Sequence, residues 1–497
     1  MDDGAPMAST LSKSKYLAGL QCPRRLWLAS REPGLGTSPS TGLSARFDDG
    51  AEIGRRARGL FAGGVVVDDA GHDEAMARTR QLLADPQVGA IFEAAFEHAG
   101  VRVRVDVLER LPGGTWGLRE VKASTRVRDV HLHDVAVQRF VVEGAGLRLD
   151  SVEVLHVESD YVRGDAGIDW RRFFRRTDVN AETAALLPDV PGRVAAFTRV
   201  LELPAAPAVE PGSHCFVPYG CDFWEHCTAG KPADWVFRLP WRDEELSDRL
   251  RAAGIERITE IPEDFALTAM QGRARTAWRA GALHVEPALA AALVSTGPPT
   301  DYLDFETTFP VIPLYAGTRP YQQIPCQWSL HRADAEGQVT HHEFLADTRA
   351  DPRPAFADAL LHALRQSSGP ILVWSTFESY RLVELADALP DRAAEIEAVQ
   401  ARLVDLLPIV REHVYHPEFA GSFSIKRVAP VLAPEVRYDD LEGVADGGAA
   451  ATALLRLARG AIESADEEAR LRRALLEYCG RDTLALLELH RQLRRLP

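Results

Sequence analysis

Nowhere in these 497 residues does an apolar run approach the roughly 18 residues that a membrane-spanning helix needs, so no membrane partner is expected. The opening MDDGAPMASTLSKSK has no apolar core of the kind a secretory leader carries, which makes a cytoplasmic location the expectation. Positive charge is not in excess either. The 57 Lys+Arg face 72 Asp+Glu, a net charge of −15, and an acidic chain does not advertise nucleic-acid binding as a whole. The deficit is uneven: residues 1–240 hold 29 basic against 33 acidic side chains (−4), and the rest 28 against 39 (−11). Arginines in the first half, at 24–25, 55–56, 102, 104, 126, 128, 171–172 and 175–176, still leave room for a local basic track. Hydrophobic content of 46% is that of a globular chain, long enough for two or three domains.

The stretch from Val101 to Gln138 is the most structured signal. In VRVRVDVLER the valines at 101, 103, 105 and 107 alternate with Arg102, Arg104 and Asp106, the period of a half-buried strand. Leu111-Pro112-Gly113-Gly114 reads as a hairpin turn, and TWGLREVKAS as the returning strand. Glu120 and Lys122, two apart, share one face while Val121 takes the other. In simple register Asp106 lies beside Glu120, so two carboxylates and an ammonium converge. Paired carboxylates repel, and a divalent metal with hard oxygen ligands is the usual remedy. The next run, DVHLHDVAVQRFVVEGAG, repeats apolar residues at helical spacing with Gln138 beside that stripe.

Asp106, Glu120, Lys122 and Gln138, in that order across strand, turn, strand and helix, resemble the core of the PD-(D/E)XK nucleases, in particular the RecB-like branch. The resemblance implies Mg²⁺ or Mn²⁺ held by Asp106 and Glu120, a catalytic Lys122, and Gln138 positioning substrate or water.

Cysteine is sparse, six in all, yet SHCFVPYGCDFWEHC places Cys215, Cys221 and Cys227 within thirteen residues. So dense a cluster in an intracellular chain argues for a metal site, and Cys22 is the candidate fourth ligand. Cys326 and Cys479 read as core residues. Four thiolates can hold zinc or an iron–sulfur cluster, and spacing does not choose. One early cysteine and three late ones look like the iron–sulfur subclass of RecB-like nucleases, which includes CRISPR-associated exonucleases and AddB-type repair subunits. That resemblance implies a 4Fe-4S cluster on Cys22, Cys215, Cys221 and Cys227, although the family spaces its trio two then five where this chain has five then five.

Residues 238–297 show helical patterns broken at Gly254 and Pro262, the pattern of a helical connector. A new pattern starts at Thr300. The short strand TDYLDFET carries Asp304 and Glu306 on one face; a later apolar run, GPILVW, is followed by Glu378; and a late helix, EYCGRDTLALLELH, places Tyr478 and Asp482 one turn apart. These marks resemble the DEDD exonucleases of the ribonuclease H-like fold, in their tyrosine variety. The resemblance implies metal ligands Asp304, Glu306, Glu378 and Asp482, with Tyr478 orienting the attacking water. Glu378 departs from the family's usual aspartate, and Asp405 stands as a reserve ligand.

The chain as a whole resembles an uncharacterised bacterial family that fuses the two. The expected fold class is α/β: a PD-(D/E)XK restriction-endonuclease-like domain over 1–237, a helical connector over 238–299, and a ribonuclease H-like DEDD domain over 300–497. The implied function is a metal-dependent hydrolase of phosphodiester bonds acting on DNA, single-stranded or at ends, in repair, recombination or phage defence. RNA as substrate, and a non-catalytic nucleic-acid-binding or assembly role for the DEDD domain, are the alternatives.

Overall fold

The computed structural model describes residues 10–38, 41–69 and 71–497. Residues 1–9, part of the stretch behind the leader expectation, lie outside them. The architecture is mixed α/β, and among the described residues no helix is long and apolar enough to cross a membrane. The chain divides into two compact units. The first takes the residues up to Gly230 together with Val311–Tyr321; the second takes Lys231–Pro310 and Gln322–Pro497.

The first unit is built on one sheet. Its strands are β1 (Leu11–Ser12), β2 (Gly64–Val66), β3 (Ala90–His98), β4 (Val101–Arg110), β5 (Trp116–Lys122), β6 (Leu149–Val157) and β7 (Phe174–Asp178). The order is β2-β3-β4-β5-β6-β7, with β1 parallel to the start of β4. The alternation read from the sequence holds in β4: Val101, Val103, Val105 and Val107 are buried, while Arg102, Arg104 and Asp106 are only half-buried. Val101, Val103 and Val105 join a core with Leu118, Val135, Val141 and Val152, while Val107 is buried in a separate cluster with Phe61, Phe92 and Leu155. Helices run over Thr41–Arg58 and His72–Ala84. Two further helices, Asn180–Leu186 and Val190–Glu202, are joined by a single 3-10 turn. The helix Lys13–Gln21 leads into Cys22-Pro23. It breaks at Cys22, which has extended backbone, and restarts as Pro23–Arg31, because proline at the first helical position needs no N–H partner.

The Val311–Tyr321 segment is built into this first unit. Val311 is buried with Ile53, Tyr161 and Phe173. Arg163 N donates to Thr318 O at 3.0 Å, and Gly317 N returns a bond to Arg163 O at 2.8 Å.

The second unit contains β8 (His284–Val285), β9 (Thr300–Thr308), β10 (Ile324–Ala333), β11 (Val339–Leu345), β12 (Ile371–Val373), β13 (Leu403–Asp405) and β14 (Val414–Tyr415). Five form a sheet in the order β11-β10-β9-β12-β13. β10 is antiparallel to both neighbours, while β9, β12 and β13 run parallel. On β9, Leu303 and Phe305 pack beneath the helix Arg353–Leu364, burying Phe356 and Leu360. Asp304 and Glu306 therefore face the other way. Residues 238–299 do not stand apart as the expected connector. Leu239, Leu246, Leu250 and Ile258 share a core with Leu406, Val410 and Phe419, and β8 pairs with β14. Their apolar stripes are too short to bury themselves, so they join the larger core of the second unit.

Candidate active sites

β1 delivers the first surprise. Leu11 pairs with Val101 and Ser12 with Arg102. Ser12 then caps the helix Lys13–Gln21 by accepting from Lys15 N. Lys13 thus leaves the sheet edge next to β5. Val107 lies opposite Arg119 and Leu108 opposite Leu118, and the same register continued sets Asp106 opposite Glu120. Asp106 Oδ2 accepts from Val121 N at 2.7 Å. The helix Asp129–Gly144 brings Asp134 and Gln138, one turn apart, over Glu120.

The resulting cluster is dense. Lys122 Nζ donates to Glu120 Oε1 and to Asp134 Oδ2, both at 2.6 Å. Lys13 Nζ donates to Glu120 Oε1 at 2.9 Å and lies 3.3 Å from Asp134 Oδ1. Gln138 Nε2 donates to Glu120 Oε2 at 2.7 Å and Asp134 Oδ1 at 2.9 Å. The Gln138 amide oxygen is buried with no partner. Burial, then Glu120, raises Asp106 to about 7. Burial alone would raise Glu120 as well, but Lys122 and Lys13 override it and hold that carboxyl well below the usual range. All four residues singled out from the sequence meet here. Lys13 and Asp134 were missed. A signal for Lys13 did exist: only five of the chain's 57 Lys+Arg are lysines, and where arginine is the default cation a retained lysine is informative.

The second acidic cluster is balanced differently. Asp304 and Glu306, on β9, face the helix Ala465–Leu493, which supplies Tyr478, Cys479 and Asp482. Glu378, on the first turn of the helix Phe377–Ala388, sits beside the Phe305 backbone and acts electrostatically on both β9 acids. The extra methylene of this glutamate therefore does not take it out of the cluster. One oxygen each of Glu378 and Asp482 is buried without a partner. Burial, then the neighbouring acids, lifts Asp304 and Glu306 well above the ordinary carboxylate range. Burial, opposed by Lys426, raises Asp482, and burial takes Glu378 to about 8.

Among the described residues none of the four forms an ion pair. Lys426, which acts electrostatically on Glu306 and Asp482, donates to the Tyr478 hydroxyl at 2.6 Å. It too was missed, and it too is one of the five lysines. Asp301, three residues before Asp304 on the same strand, makes the contrast. It is fully buried and paired, with Arg332 Nε at 2.6 Å and Arg402 Nη2 at 3.0 Å. Asp301 is thus ion-paired on both oxygens, whereas Asp304 and Glu306 on the same strand have no ion pair among the described residues. Asp405, the reserve ligand, accepts from Leu407 N at 2.9 Å and caps the helix Leu406–His413, a structural use that sequence reading did not foresee. Cys326 is a core thiol as expected. Cys479 is equally buried, but its sulfur lies 3.4 Å from Asp304 Oδ2, at the site.

Cys22, Cys215, Cys221 and Cys227 line one small cavity with Arg24, Arg25 and Phe223. Cys221 N donates to Cys215 O at 2.7 Å, folding the segment back on itself. Among the described residues, three metal-ligating atoms within 4.8 Å of one another occur only at Asp304, Glu306 and Cys479, so no three of these thiols are that close. A tetrahedral zinc would bring its sulfurs to about 3.8 Å of each other. Four soft sulfur donors suit zinc or an iron–sulfur cluster.

The basic track is thinner than the sequence suggests. Arg55 and Arg56 pair with Glu52, Arg102 with Glu97, and Arg176 with Glu109 and Glu153. Arg126, Arg171 and Arg172 stay exposed, and exposed Arg128 lies over the Tyr219 ring.

A family model described as "Domain of unknown function (DUF2779)" matches residues 301–424. That span holds Asp304, Glu306 and Glu378 but ends before Tyr478 and Asp482. No curated protein matches the chain.

Proposed function

We propose that the chain is a divalent-metal-dependent nuclease that hydrolyses phosphodiester bonds in DNA, single-stranded or at ends. The observation that carries this reading is the second cluster: four gathered carboxylates with no ion pair, beside an acid on the same strand that has two. Unneutralised buried charge is costly, and a hard cation with oxygen ligands relieves it. Once bound, Mg²⁺ or Mn²⁺ supplies Lewis acidity and lowers the pKa of a water.

The chain's own groups do the rest. Asp304, Glu306, Glu378 and Asp482 hold the site, and Tyr478, fixed by Lys426, orients the attacking water. In the first cluster Asp106 and Glu120 are the ligand candidates, Lys122 steadies charge growing on the phosphoryl oxygens, and the unpartnered Gln138 oxygen is an acceptor for water or substrate. The mixed five-stranded sheet with acids on its central strand supports a ribonuclease H-like reading of the second unit. The hairpin-plus-helix placement of Asp106, Glu120, Lys122 and Gln138 supports the PD-(D/E)XK reading of the first. The four thiols would hold a 4Fe-4S cluster that ties Cys22 to the 215–227 segment.

The test is an anaerobically purified chain given labelled single-stranded DNA, double-stranded DNA and RNA of equal sequence, with Mg²⁺ or Mn²⁺. Cation-dependent DNA cleavage is expected. Intact substrates under every condition overturn the reading, and cleavage of RNA alone moves it to RNA processing.

A further inference from the structure

Cys479 is a core residue by sequence, yet its sulfur is aimed at the second acidic cluster. Its Sγ lies 3.4 Å from Asp304 Oδ2. The ligand atoms of Asp304, Glu306 and Cys479 all lie within 4.8 Å of one another. Two further oxygens of this cluster, on Glu378 and Asp482, are buried and unpartnered, with the residues 3% and 8% exposed. The spacing is that of a coordination edge. An ion about 2.3 Å from sulfur and about 2.1 Å from oxygen, in tetrahedral geometry, sets those donors about 3.6 Å apart. Carboxylates alone suit Mg²⁺, but a thiolate in the set shifts preference toward softer ions along the divalent series.

We propose that Asp304, Glu306 and Cys479 form a mixed carboxylate–thiolate site for a thiophilic divalent cation of the Co²⁺, Zn²⁺ or Cd²⁺ class. On binding, the metal–sulfur bond forms as the S–H bond breaks, and the proton leaves to a buffer base. No electron transfer is involved. A zinc-class ion seated there occupies two of the carboxylates of the proposed nuclease site, so trace zinc blocks the Mg²⁺-supported reaction until a chelator removes it. This last consequence rests on the proposed function; the site itself does not.

The test separates the two. The full-length chain, with its cysteine quartet in the same state throughout, is titrated with Co²⁺ under argon. Sulfur-to-cobalt charge-transfer absorption and bound cobalt are read for wild type, Cys479→Ser, Asp304→Asn and the core control Cys326→Ser. We expect wild type and Cys326→Ser to take up one more cobalt ion than Cys479→Ser, with an added charge-transfer band. Asp304→Asn should lose affinity for that ion by at least roughly tenfold while keeping the thiol, which decides the matter should Cys479→Ser not fold. Equal uptake and equal spectra in wild type and Cys479→Ser, or in wild type and Asp304→Asn, overturn the site. A cobalt band in a chain that cleaves no nucleic acid leaves the site standing and removes the nuclease reading. Cleavage with no difference band does the reverse.

Discussion

The two acidic clusters solve the same electrostatic problem in opposite ways. In the first, Asp106, Glu120 and Asp134 are met by two lysines, and Glu120 already spends both oxygens on Lys13, Lys122 and Gln138. In the second, Asp304, Glu306, Glu378 and Asp482 gather with no ion pair among the described residues, and Lys426 donates a hydrogen bond to Tyr478. The first cluster carries its own counter-cations; in the second, burial and mutual repulsion lift the acids above the ordinary carboxylate range instead. A lysine is a fixed monovalent donor of three hydrogen bonds, whereas a divalent ion accepts several oxygens at once and activates water. The first cluster is thus held together by its own ion pairs, and the second gathers like charges without them.

The comparison can be broken in several places. The largest effect is expected where an acid is structural. Asp301→Asn leaves Arg332 and Arg402 short of their partner and should cost about 3–5 kcal/mol of unfolding free energy in denaturant titration; a change within error would erase the distinction between paired and unpaired acids on β9. Next, Lys122→Ala should lower the Lys122-dependent cleavage rate by about 10²–10³-fold with little change in melting of the second unit. Lys13→Met and Asp304→Asn should then move metal-free stability in opposite directions, measured in chelator by thermal melting. Lys13→Met lowers it, because it strips a counter-ion from buried carboxylates, while Asp304→Asn raises it by on the order of 1 kcal/mol, because it removes like-charge repulsion. Shifts of the same sign would sink the contrast.

The smallest effect at neutral pH concerns His490, which lies in the second unit between Tyr302 and Thr296. Burial pushes its imidazole down to about 4. The unfolded chain, with histidine near 6.5, then binds the extra proton, so stability is fully present above about 6.5 and is lost as pH falls toward 4. Replacing His490 with Gln should flatten that acid limb; an unchanged slope between pH 6.5 and 4 would remove His490 from the account.

Much of this was legible in the chain. The alternation of Val101, Val103 and Val105 in β4 and the two-residue spacing of Glu120 and Lys122 show which side chains share a face, although the face changes before Val107, which joins a different cluster. The Tyr478–Asp482 spacing does the same for a helix. What could not be read was long-range supply. Lys13 reaches Glu120 only because two residues of β1 pair with β4, and Asp134 looked like any polar position on an amphipathic helix. Cys479 looked like core because it is core, with a sulfur that also happens to reach Asp304. Segment 238–299 read as a spacer since its helices are short, and only a shared core with Leu406 and Phe419 reveals where it belongs.

The most direct measurement is the product ladder from end-labelled single-stranded DNA with Mn²⁺, for wild type, Lys122→Ala, Asp304→Ala and the double variant. Each single variant should delete one component of the ladder and the double variant should leave the DNA intact. A double variant that still gives the wild-type ladder would contradict the account.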